Sequence, residues 1–516
     1  MNRNVVALAL FTLSLTSLPD GGDAASAKAP APARRFTREL PEDVREQAQA
    51  AFVADAYRRE ERFRAAAGES ADPFGLRAPG DVLDRPLADV FDRGGRLFAH
   101  TWLPEEGYGA KDLPTVGRFH KGRRGGPDAR ACASCHARGG PAGGGDASDN
   151  AYFDGDGETQ ESAFGRNPKA LVGAGVVEIL AREMTAALQV QRDEAIREGK
   201  KSSRPVKKDL VTKGVSFGWL VVKDGTVDTS HVAGVDADLV VKPFGWKGTF
   251  GDLRSMVEES LLVHHGIQST WLVAHGEPAR IGTFGKDDPD GDGVKDEIDE
   301  GQVDALTLWV AMQEIPTVSP PKDGDQLALY AKGRTMFRSI GCASCHTPEV
   351  PLASSTYVLP RRSGGLFASD ARVDLATEGA TPRLGPAPAD GTPRSVWLYS
   401  DLKRHDMGEA LSDDRDDRGV KKNEFVTPPL WGVARSKPYM HDGRASDFDA
   451  AILAHGGEAQ GVRDAYAALS DEGRAPVRAF LSWRPRSARG GSSRDDAGNG
   501  GAPPVADPRG DTSPWS

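Results

Sequence analysis

The pentapeptide Cys-Ala-Ser-Cys-His occurs twice, at residues 132–136 and 342–346, and the two copies use all four cysteines of the 516-residue chain. A disulfide inside C-x-x-C closes a very small loop and removes little chain entropy, so it staples a fold poorly. A redox-active C-x-x-C is expected once, on a thioredoxin-like βαβ frame, and needs no histidine beside it. A zinc site built from four thiolates leaves both histidines without a task. Covalent haem attachment uses every residue: the thiols add across the vinyl groups, and the adjacent imidazole reaches the iron as proximal ligand. The sequence thus predicts two covalently bound c-type haems, the first on Cys132, Cys135 and His136, the second on Cys342, Cys345 and His346.

The compartment suits this chemistry. Arg3 precedes an apolar run from Val5 to about Leu18, and Ala25-Ser26-Ala27 offers a small-residue cleavage site, so residues 1–27 read as a secretory signal. The mature protein is expected to be periplasmic or otherwise exported and soluble. No other run approaches the roughly 20 apolar residues a membrane span requires. A net charge of −10 argues against a nucleic-acid surface.

With 60 glycines and 35 prolines, much of the chain should run as loops between short helices. Helices are expected at 41–67, 171–201, 251–265 and 301–314, and from Asp325 into the second pentapeptide. The alternation over 216–232, broken at Asp224-Gly225, reads as a hairpin. The fold class expected is mainly α: two cytochrome c-like haem domains with loop-rich segments and a small β-hairpin element in the first. A helical extension would fill 28–90, the domains 91–315 and 316–485, and a disordered tail 486–516; Ile315-Pro-Thr-Val-Ser-Pro-Pro321 is the expected linker. Beyond the pentapeptide, the halves do not read as sequence repeats.

FGRNPKALVGAG (164–175), KPFGWKGTFGDL (242–253), MFRSIGCASCHTP (336–348), YSDLKRHDMGEAL (399–411), TPPLWGVARSKPYMHDGRA (427–445) and AAILAHGGEA (450–459) follow one another in an ordered series. From about 160 to 460 the chain resembles the di-haem oxidoreductase family, relatives of the bacterial di-haem cytochrome c peroxidases. The resemblance implies an electron reservoir haem, a haem that meets peroxide, and a path between them. Trp246 matches the tryptophan that lies between the haems, and is otherwise a core aromatic.

The resemblance also directs attention to the sixth ligands. The peroxidases place a methionine fourteen residues after the histidine of P-Y-x-H-x-G; here that histidine is His441 and the later position holds His455. His455 is the first choice for the distal ligand of haem 2, and Met407 the alternative. His441 reads as a loop hydrogen-bonder. At haem 1 the family's distal Gln and Glu are replaced by Met256 and Gly266, and no histidine occurs between His136 and His231. Peroxide cleavage requires an open iron position and a distal acid–base group. His264 and His265 are the candidates for it; they could equally cap the iron, or be a surface pair near a helix end. Glu258 and Glu259 could supply a carboxylate but read as a solvated face.

DPDGDGVKDEID, residues 288–299, spaces Asp288, Asp290, Asp292, Asp296 and Asp299 as an EF-hand-like loop, with Gly293 at the tight turn and the Val294 carbonyl between them. It is expected to hold a structural Ca²⁺; a solvated acidic turn is the alternative. The expected activity is a periplasmic di-haem oxidoreductase moving electrons between haem 2 and haem 1, with peroxide or another small oxidant reduced at haem 1. A small periplasmic redox protein would be the partner. The alternative is a non-catalytic electron-transfer protein with both haems six-coordinate.

Overall fold

The computed structural model describes residues 86–103, 129–146 apart from 139, 150–153, 163–275, 297–316 and 320–482, with short internal breaks between 363 and 387. Residues 107, 119–120, 123–124, 293 and 294 are described in isolation. The expected signal, the helix at 41–67 and the tail lie outside the described residues. All described residues belong to one compact unit within 41–516.

In chain order the helices are α1 (Leu87–Ala99), α2 (Cys132–Cys135), α3 (Ala174–Gly199), α4 (Leu253–Ser260), α5 (Thr270–His275), α6 (Glu300–Ala311), α7 (Gly324–Ile340), α8 (Phe448–Ala454), α9 (Gln460–Ala467) and α10 (Asp471–Leu481). None of the described helices is long and apolar enough to cross a membrane. Among the described residues six small sheets accompany them, so the fold is mixed α/β rather than mainly α. The reason is visible in strands such as Val350–Leu352 and Arg404–Asp406, three residues each, too short to carry a readable period.

The longest sheet joins β1 (Val206–Thr212), β2 (Val215–Lys223) and β3 (Thr226–Asp228). The expected hairpin is β2–β3, closed at Lys223↔Thr226, with positive φ at Asp224 (50°) and Gly225 (79°) as a two-residue turn demands. Strand β1 escapes sequence reading because its first half, Val206-Lys-Lys-Asp, turns mostly polar side chains to solvent.

Two helix crossings give the molecule its plan. In the first, Gly94 of α1 lies so close to Ala305 and Trp309 of α6 that a Cβ there would overlap them. In the second, Gly333 of α7 meets Pro476 and Phe480 of α10 in the same way. Four residues after each glycine a phenylalanine packs on the aromatic of the partner helix: Phe98 on Trp309 at 4.2 Å, Phe337 on Phe480 at 5.3 Å. The halves are therefore built alike around their pentapeptides, through side-chain roles that share too few letters to show as a repeat. Helix α6 is buried all round, and Asp299 and Gln302 close its N-terminus in a reciprocal capping box.

The larger core gathers α1, α3, α6 and the β1–β3 sheet, and continues into residues 350–402 that follow the second pentapeptide, among them Leu352, Tyr357, Val373 and Leu398. A smaller core joins Tyr330, Phe337, Tyr399, Tyr466, Val477 and Phe480.

Candidate functional site

Each pentapeptide closes as one tight turn. Cys132–Cys135 is a single helical turn in which the His136 N–H donates to the Cys132 carbonyl oxygen at 3.1 Å. Cys342–Ser344 is a 3₁₀ turn, and the His346 N–H reaches the Cys342 oxygen at 3.0 Å. Gly341 enters this turn from α7 at φ 106°, a conformation that favours glycine. None of the four cysteines is in a disulfide. Desolvation pushes the thiol of Cys132 up to about 12 and that of Cys342 to about 11, far from the low-pKa thiolate of an exchange-active C-x-x-C.

The two histidines are anchored in the same way. His136 directs Nδ1 to the Lys169 oxygen at 3.0 Å and the Gly143 oxygen at 3.3 Å. His346 directs Nδ1 to the Tyr399 oxygen at 3.0 Å. A carbonyl only accepts, so Nδ1 carries the proton and Nε2 the lone pair. Desolvation, the largest effect at both, lowers each pKa to about 4 and keeps the rings neutral. Phe98 and Phe337, from the two crossings, each stand 6.3 Å from these rings.

Both turns open into one cavity of about 520 Å³, whose wall carries all four cysteines and both histidines. Each turn thus offers two thiols and one imidazole lone pair to a shared space, a donor set that fits a porphyrin iron on either side. Trp246 is on the same wall and donates Nε1–H to the Asn167 oxygen at 2.8 Å. The ammonium of Lys169 stands 4.8 Å from the Trp246 ring centre and donates to the Gly245 oxygen at 3.0 Å. Desolvation lowers its pKa to about 8, which leaves it protonated at neutral pH.

Around the second turn, His455 caps the C-terminus of α8. Its Nδ1 is committed to the Ala451 oxygen at 2.8 Å, its ring borders the cavity, and desolvation lowers its pKa. Met407 borders the cavity as well, so both candidate distal ligands line the space that the second turn opens into. His441 is buried, stacks on Phe425 at 4.4 Å, and accepts the Asn167 N–H at its backbone oxygen; it lines the wall as a loop residue.

His405 was not singled out by sequence, yet it is the most strongly paired histidine among those described. Nε2 is 2.8 Å from Asp401 and Nδ1 is 2.8 Å from Glu458. Desolvation opposes its charge, but bonds to Asp401, Cys345 and Glu458 outweigh it and raise the pKa to about 11. Cys345, Asp401 and His405 bring three possible metal ligands together. An imidazolium with both nitrogens donating to carboxylates has no lone pair for a metal, so this cluster reads as a charge clamp.

Beside the first turn, α4 continues into a π-helical turn, Leu261–His265. Such widened turns re-aim side chains and are frequent at functional sites. Met256, Glu259, Ser260, Val263 and both His264 and His265 border the cavity. The two adjacent histidines divide. His264 lies near enough to His136 to lower its basicity. His265 is buried, with Nδ1 2.7 Å from the Ala129 oxygen, so its Nε2 is the acceptor facing the Cys132 sulfur at 3.4 Å. It steadies the thiol. Neither histidine is the surface pair considered from sequence.

The glutamates differ from expectation too. Glu258 is buried and holds Arg362 Nη1 with both oxygens at 2.9 Å, so it is no solvated face. Glu259 lines the cavity and pairs with Arg418, also on the wall. Of the acidic loop, Asp288, Asp290, Asp292 and Asp296 lie outside the described residues. Asp299 accepts from the Gln302 N–H at 2.8 Å as the cap of α6, and Gly293 turns with φ 98°.

Residues 388–483 match the family described as "Di-haem oxidoreductase, putative peroxidase", the family that the motifs resemble. The matched stretch contains Asp401, His405, Met407, His441, His455 and Glu458. No curated protein matches the chain. Matching solved structures include a chain of xenon-pressurised hydrazine synthase from Kuenenia stuttgartiensis, 14% identical, with a TM-score of 0.34 over 81% of this chain and 96% of that one.

Proposed function

From a chain that carries the di-haem oxidoreductase signature over residues 388–483, we propose a c-type di-haem oxidoreductase of the periplasm or another exported compartment. It takes electrons from a small redox protein at the second site and delivers them to a small oxidant, such as peroxide, at the first. The observation that carries this reading is the single cavity whose wall holds both pentapeptides, with each proximal imidazole presenting Nε2. Haem iron held there supplies one-electron chemistry and, where a coordination position is open, a seat for the oxidant.

The residues divide the work. Cys132 and Cys135, and Cys342 and Cys345, hold the two tetrapyrroles through thioethers, with His136 and His346 as proximal ligands. His455 completes the second site, and imidazole in place of thioether favours a lower potential than His/Met ligation. Trp246, on the cavity wall, would serve the electron path between the two haems. His264 and Glu259 are the groups on the first site's wall able to hold a proton beside a bound oxidant, Glu259 oriented by Arg418. Asp288, Asp290, Asp292, Val294, Asp296 and Asp299 would hold Ca²⁺ just before α6, the helix packed across α1, so the ion would brace the first site.

A second reading, electron transfer with both irons six-coordinate, is favoured by His264 bordering the same cavity as His136. Spectra of the as-isolated and half-reduced holoprotein separate the two. A high-spin haem that binds cyanide and reacts with peroxide supports the enzyme. Two low-spin haems inert to both ligands remove it. Mass spectrometry of the denatured chain without added tetrapyrroles overturns both readings. Chelation that leaves thermal stability and interhaem transfer unchanged argues against the calcium.

A further inference from the structure

Lys169 joins two parts of the site that are far apart in sequence. Its backbone oxygen receives the Nδ1–H of His136 at 3.0 Å, and its ammonium lies over Trp246 at 4.8 Å. The other cations on the wall around the first site have carboxylate partners. Arg166 and Lys247 share Asp413 at 2.8 and 3.4 Å, and Arg418 pairs with Glu259. Among the described residues no carboxylate pairs with Lys169; its donor bond goes to the neutral Gly245 oxygen. At the second site the balance is reversed, since one imidazolium, His405, stands between two carboxylates, Asp401 and Glu458.

A backbone oxygen on Nδ1 makes each proximal imidazole a stronger donor to iron. Because His136 and His346 both have such a partner, that effect does not distinguish the sites. The local charge does. An uncompensated cation in a partly desolvated wall favours the reduced, less positive state of a nearby metal.

We propose that Lys169 is a positioning residue that acts through His136 and Trp246: its ammonium charge raises the reduction potential of the first haem relative to the second. On this reading the one electron that the second haem would give up is the one that the first would accept, and the Trp246 indole would neither gain nor lose any. This inference rests on the two-haem reading above.

The test is spectroelectrochemical titration of the full-length holoprotein, wild type against K169Q and K169R, with the two haems resolved by absorption and EPR. Glutamine keeps a donor for the Gly245 oxygen and lacks the charge; arginine keeps the charge. In one-electron-reduced K169Q the distribution between the haems should move about tenfold toward the second, the size of one charge acting over about 12 Å at an effective dielectric constant of about 20. K169R should restore it. If K169Q accumulates poorly, K169M gives the same reading. Unmoved potentials, equal shifts at both haems, or a K169R that behaves as K169Q overturn the proposal alone. A wild-type protein in which two haems do not titrate overturns the functional reading, and the proposal with it.

Discussion

His455 stands close enough to His346 for the charge of one imidazole to depress the basicity of the other. Each commits Nδ1 to a backbone oxygen, Ala451 for His455 and Tyr399 for His346, so each has Nε2 left as its donor atom. Two neutral rings prepared in this way beside one cavity would both be able to hold an iron there. His455→Ala should convert the second haem from low to high spin in absorption and EPR spectra, with the first haem unchanged. Met407→Ala should leave the spin state as it was. The reverse pattern would make Met407 the ligand.

His405 gives a pH prediction with a definite sign. Its pKa rises on folding from 6.5 to about 11 because hydrogen bonds to Asp401, Cys345 and Glu458 outweigh desolvation. A group whose folded pKa is raised contributes its full stability below the unfolded value, and that contribution is lost as pH climbs through the folded one. His405→Asn should therefore lower the thermal midpoint more at pH 6 than at pH 10. A difference that stays constant, or widens toward alkaline pH, would show that the clamp is not an ion pair.

Arg254 lies between α4 and α6 with Glu300 and Asp304 as its partners, and all three side chains are no more than 4% exposed. Removing one member of a buried ion group strands the remaining charges, which costs about 3–5 kcal/mol. Arg254→Met should lower unfolding free energy in urea by that order. Arg96→Ala, which breaks the exposed pair with Asp92, should cost about 1 kcal/mol or less. Similar losses for the two would mean that the buried group is hydrated.

These contrasts also show what was legible in the chain before its structure. Local rules sufficed where one segment contains its own determinants: the two Cys-x-x-Cys-His turns, α3 within two to three residues of 171–201, and the Asp224-Gly225 hairpin. They failed where meaning comes from a distant partner. Glu258 looks solvated until Arg362 is brought to it, and His264 and His265 are indistinguishable until a π-helical turn and the Ala129 oxygen separate them. The matched helix crossings hide for the same reason. Gly94 and Phe98 repeat as Gly333 and Phe337, and their partners Ala305 and Trp309 keep the spacing of Pro476 and Phe480 but not the residue types.

The second crossing is open to direct test. A Cβ on Gly333 would overlap the Pro476 backbone, which has no flexible side-chain end to yield, so α7 and α10 must separate to admit it. Overpacking of this kind costs about 1–3 kcal/mol. Gly461 in α9 has open space around its missing Cβ, and alanine there should add up to about 1 kcal/mol through helix propensity. Gly333→Ala is expected to lower the urea midpoint and Gly461→Ala to hold or raise it. Since Phe337, one turn beyond Gly333, packs near His346, Gly333→Ala should also perturb the second haem's absorption band while leaving the first haem's intact. Loss of stability with both bands unchanged would mean that α7 can shift without carrying its phenylalanine, and that the crossing does not position the proximal histidine.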